Sequence, residues 1–85
     1  MHEITERIKI VIDYSRVVTF RQFAAEIGVN YATFYNQIVG KREVSLFVIQ
    51  KILLRFPEIE ERWLVLGEGN MLSRKSLAAL NRSKQ

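Results

Sequence analysis

Residues 19–42, TFRQFAAEIGVNYATFYNQIVGKR, constrain the chain most: they predict two short helices joined by a tight turn. Thr19 suits the N-cap of the first, where its hydroxyl accepts from an orphan amide of the first turn. Gln22, three residues on, completes a T-x-x-Q capping box by reaching back. Phe20, Phe23, Ala24 and Ile27 then fall at i, i+3, i+4 and i+7, one apolar stripe. Gly28 ends that helix by supplying a left-handed residue. Asn30 caps the second helix, Phe34 and Ile38 make its inner edge, and Gly40 closes it. Ala24 is small where two helices crossing over a short turn leave no room for a larger side chain. Two helices this short cannot bury their apolar faces on each other alone, so they demand a surrounding bundle.

The outward residues of the second helix are Tyr31, Ala32, Thr33, Tyr35, Asn36 and Gln37, and none is charged. A solvated helix face usually carries Lys and Glu. Amides and hydroxyls instead match the edges of bases: Asn and Gln bond adenine in two places, and the methyls of Thr and Ala touch thymine. Charge returns just past the helix, at Lys41 and Arg42, where a phosphate backbone would run. Taken with the caps and glycines, this pattern points to a helix-turn-helix that reads DNA.

The chain resembles the Xre-type helix-turn-helix family, the fold of phage repressors and Cro proteins. The resemblance is carried by F-A-x-x-I-G-V-N (23–30), Thr33-Phe34, Gly40-Lys41-Arg42, Ser45, and F-P-E-I…W-L-x-x-G-x-G (56–69). It covers about residues 4–72 and implies an all-α, compact five-helix bundle of the phage-repressor DNA-binding type. It implies a domain over residues 1–70, followed by a basic C-terminal tail, 71–85, either frayed or a short helix. Two positions depart from the family. Phe20 stands where members often have an amide that bonds a phosphate. Gln37 stands where they usually have an apolar residue, and Ile38 where they have a polar one. Either the second helix is rotated slightly or Gln37 joins the reading face.

At 85 residues the chain is one small domain, too short to add the self-cleaving or ligand-binding domain that many repressors carry. It has no cysteine, which removes disulfides and thiolate metal sites and suits a reducing, cytoplasmic setting. The lone histidine, His2, sits beside the initiator and reads as a chain end rather than a ligand. No apolar run approaches the roughly 18 residues that span a membrane, and no signal-peptide pattern opens the chain. Neither metal nor cofactor is expected. An enzyme is not expected either, since a nucleophile and its base are both missing. Residues 1–72 hold nine basic and nine acidic side chains, so the net +4 lies in Arg74, Lys75, Arg82 and Lys84. Within the neutral part, residues 16–42 carry four cations against Glu26, while 57–68 carry four glutamates against Arg62. A dipolar molecule with its positive end at the motif should follow, suited to salt-sensitive DNA binding.

The remaining chain reads as support. An opening helix over about 4–14 places Ile4, Ile8, Val11 and Ile12 on one face, with Ile10 outside it. Ser45 caps a fourth helix that Pro57 stops after Phe56. Its residues are apolar nearly all round, which predicts a central post against which the motif packs. A fifth helix over about 60–66 runs into Gly67 and places Trp63 in the core. It resembles the family element that often joins two subunits. Leu64, Val65 and Leu66 cannot all face inward, so one or two of them, with Leu72, are the expected dimer contact, extended by Met71, Leu77 and Leu80 if the tail is helical.

These observations lead to one expectation and one rival. The expectation is a sequence-specific transcriptional regulator, a repressor that binds double-stranded DNA as a homodimer on a palindromic operator. Tyr31, Ala32, Thr33, Asn36 and Gln37 would read bases, while Arg21, Asn30, Lys41 and Arg42 would hold phosphates. The rival is an antitoxin-like or adaptor module that clasps another protein, using the exposed leucines and the acidic patch at 58–61.

Overall fold

A computed structural model describes residues 3–72, and the predicted roles of His2, Leu77, Leu80 and the four tail cations lie outside the described residues. Five helices follow in order: α1 (Ile4–Ser15), α2 (Phe20–Ile27), α3 (Tyr31–Ile38), α4 (Leu46–Arg55) and α5 (Glu61–Leu66). Among the described residues there is no strand, only an isolated antiparallel bridge between Ile59 and Leu72. No helix there is long and apolar enough to cross a membrane.

Local chemistry sets the helix ends. The Thr19 hydroxyl accepts from the Gln22 amide at 3.1 Å, Asn30 Oδ1 from Thr33 at 3.2 Å, and the Ser45 hydroxyl from Val48 at 3.3 Å. Gln22 does reach back, but to the amide of Val18 (3.2 Å) rather than that of Thr19, so the capping box is displaced by one residue. Gly28 (φ +76°) completes a double closure of α2. Its own amide donates to Ala25 O and that of Val29 to Ala24 O, which turns the chain sharply toward α3.

Phenylalanines form the centre. Phe23 stacks on Phe56 at 5.9 Å between centroids, and on its other side tilts against Phe34 at 5.5 Å. Ile8, Val11, Val48, Ile52 and Leu64 close around them, each at most 1% exposed. Ala24 is buried to the same degree, where α2 packs against both α3 and α4. α1 packs against α3 and α5 on the other side.

Two expectations need correction. α4 is not a post surrounded by the bundle: Val48, Ile49 and Ile52 point inward, while Leu46, Phe47 and Leu54 are 68%, 53% and 76% exposed. With five short helices every helix keeps an outer side, and the centre passes to the aromatic rings. In α5, Leu64 is fully buried and belongs to the core rather than to a subunit contact. Leu72 is half-buried, packed on the core beside Ile59, whereas Val65 and Leu66 are exposed. Trp63 is half-buried and packs against the core from its edge.

Arg7 is the one interior group with no warning in the sequence. Only 6% exposed, it donates through Nε to Leu64 O (2.8 Å) and through Nη2 to Val65 O (3.1 Å). A cation there satisfies carbonyls that the end of α5 leaves open and meets the negative pole of the helix.

Candidate nucleic-acid interface

α3 buries Phe34, Gln37 and Ile38, an i, i+3, i+4 set, and turns the rest of its surface outward. Ala32, Thr33 and Tyr35 are exposed, while Tyr31 and Asn36 are half-buried. Gln37 therefore does not join a reading face. It is 7% exposed, and its Oε1 accepts from the Ser45 amide at 2.8 Å, tying the end of α3 to the start of α4. The signal that placed it was its spacing from Phe34, which its polar chemistry masked. The amide keeps its hydrogen bond inside the protein.

Tyr31 and Tyr35, one turn apart, pack with centroids 5.8 Å apart and rings inclined at 45°. Arg21 comes across from α2 and lays its guanidinium over Tyr31, Cζ standing 4.3 Å from the ring centroid. At the opposite end, the Asn36 carbonyl accepts from the amides of Lys41 (2.9 Å) and Arg42 (3.1 Å), folding the turn back under the helix. Asn30 serves first as a cap, and its side-chain N–H groups remain available for an anion beside the first turn of α3.

The result is an uncharged helix surface with cations at both ends. An α-helix with its side chains is about 10–12 Å across, a diameter that the major groove of B-DNA, about 12 Å wide, admits. Glu26, the one acid within the motif, is engaged by Arg55 at 3.0 Å. In the acidic stretch, Glu58 accepts from the Tyr14 hydroxyl at 2.8 Å, and Glu68 pairs with Arg62. An open groove of about 490 Å³ flanks the far end of α3, lined by Ile4, Thr5 and residues 40–44. Glu43 shares it with Lys41 and Arg42, so that rim is of mixed charge. Among the described residues no group of three metal-ligating side chains stands together.

No family model, curated protein or solved structure matches the chain. What it does is therefore argued from its own surface. That surface carries hydroxyls, methyls, one outward side-chain amide and cations separated by the length of the helix. It is suited to binding and positioning.

Proposed function

We propose that this chain is a sequence-specific, double-stranded-DNA-binding regulator of the Xre, phage-repressor-like type, which lays α3 in the major groove. The observation that carries the reading is the outer face of α3: no charge along the helix, Arg21 at one end, Lys41 and Arg42 at the other. Ala32, Thr33 and Asn36 meet base edges, together with the two tyrosines, while Lys41, Arg42 and the Asn30 cap engage phosphates. A homodimer sets two such helices about 34 Å apart on a palindromic operator. Its contact draws on Val65 and Leu66 of α5, which are exposed.

A selection from random duplex DNA at about 0.1 M salt tests this. The expected result is an enriched inverted repeat whose half-site centres lie about one helical turn apart. Weak binding that salt erases, with no enriched sequence, would refute it.

One feature favours a second reading, a module that clasps another protein. Leu46, Phe47 and Leu54 leave α4 with an apolar outer side, and Gln50, Leu53, Leu54 and Glu61 line a groove of about 420 Å³ beside it. Failure of the DNA selection together with a stoichiometric protein complex through α4 would install that reading instead.

A further inference from the structure

Withdrawal of Gln37 into the core leaves Asn36 as the only side-chain amide on the outer face of α3. Asn36 suits adenine. Nothing on α3 offers guanine the paired, coplanar donors that its N7 and O6 accept. Arg21 has them. Its guanidinium rests on the ring of Tyr31, the first residue of α3, and Tyr31 in turn packs on Tyr35.

A guanidinium held over an aromatic face keeps its N–H donors free for another partner while the ring limits where the group can lie. Arg55 and Arg62 are held by carboxylates, whereas among the described residues Arg21 has no carboxylate partner. Lys41 and Arg42 lie past the other end of the helix, and among the described residues neither sits over a ring. A phosphate clamp needs only charge within reach of the backbone. An arginine held over a ring at the first turn of a groove-reading helix is placed where paired N–H donors can meet a base edge.

We propose that Arg21 reads a guanine in the major groove instead of clamping a phosphate, with Tyr31 as its positioning residue. The inference rests on the DNA-reading role above and adds to it a G·C pair in each half-site.

The test uses the full chain and its selected duplex, with each guanine replaced in turn by 7-deazaguanine, which lacks the N7 acceptor. Wild type should lose roughly tenfold or more in affinity at one guanine per half-site. Arg21→Ala should bind the unmodified site correspondingly less well, become indifferent to that replacement and keep the wild-type salt slope. Tyr31→Phe retains the ring and should keep the discrimination; Tyr31→Ala should lose it while still binding DNA. A uniform loss over all sequences for Arg21→Ala, with the salt slope flatter by about one, would make Arg21 a phosphate contact and overturn the proposal. If wild type selects no sequence at all, the DNA-reading role falls and the guanine contact falls with it.

Discussion

Replacing Gln37 by Met keeps most of the side chain's length and volume but removes the oxygen that accepts from the Ser45 amide at 2.8 Å. Gln37 is 7% exposed, so the substitution adds no surface change to the face of α3. Leaving a buried donor unsatisfied costs about 1–3 kcal/mol. Ser45 is half-buried, so water reaches part of the freed amide, and the lower part of the range, about 1–2 kcal/mol, applies. For a domain of this size each kcal/mol moves Tm by roughly 4–8 °C. Thermal unfolding by circular dichroism should therefore show a fall of roughly 4–16 °C. The same variant, kept well below its Tm, should select the same DNA sequence as wild type. An unchanged Tm together with altered preference at one base pair would mean that Gln37 faces the DNA, and would refute the reasoning.

A glycine pair isolates the Arg7 contact. Gly67 (φ +73°) and Gly28 (φ +76°) impose the same backbone demand, so an alanine at either costs about 1–2 kcal/mol in strain. At Gly67 the added Cβ would also stand 3.0 Å from Arg7 Nη1, whereas at Gly28 it meets nothing within 4 Å. Gly67→Ala should lower Tm further than Gly28→Ala, and equal losses would dismiss the contact. Tyr14 supplies a pH test. Its hydrogen bond to Glu58, then burial, then the carboxylate's charge raise the phenol above its ordinary 10.0. The stabilisation from this bond is therefore complete below about pH 10, the unfolded value, and is lost as pH rises through the higher folded value. The tyrosine absorbance titration, read as wild type minus Tyr14→Phe, should shift down in Glu58→Gln. No shift would sever the link to Glu58.

What the sequence made legible was what acts over a few residues. Thr19, Asn30 and Ser45 cap because each has a short side-chain oxygen that reaches the amide three positions on at a helix start. Gly28 and Gly67 stop helices by the same local logic. Gln37 shows a contest between two local signals, in which its spacing from Phe34 prevailed over its polar chemistry. The outer side of α4 was not legible, because apolar residues all round a helix do not say which neighbours will cover them. Arg7 was beyond reach for a different reason: its acceptors lie 57 and 58 positions away. For the candidate interface, residue types and their polarity were readable. The stacking of Arg21 on Tyr31 depends on how α2 crosses α3, and only the fold sets that.

Arg7 also bears on how the chain is made. Synthesis delivers α1 first, carrying a cation whose acceptors are the carbonyls of Leu64 and Val65. Burying that guanidinium without them would be costly, so on the ribosome α1 has reason to stay in water while the motif helices emerge. The last helix of the described domain brings the acceptors that Arg7 needs, together with Leu64, which is itself fully buried. A nascent chain halted just short of residue 64 would hold both motif helices and still lack the carbonyls that receive Arg7. The burial of the first helix is thus completed from the opposite end of the described domain, and only after translation has passed the motif.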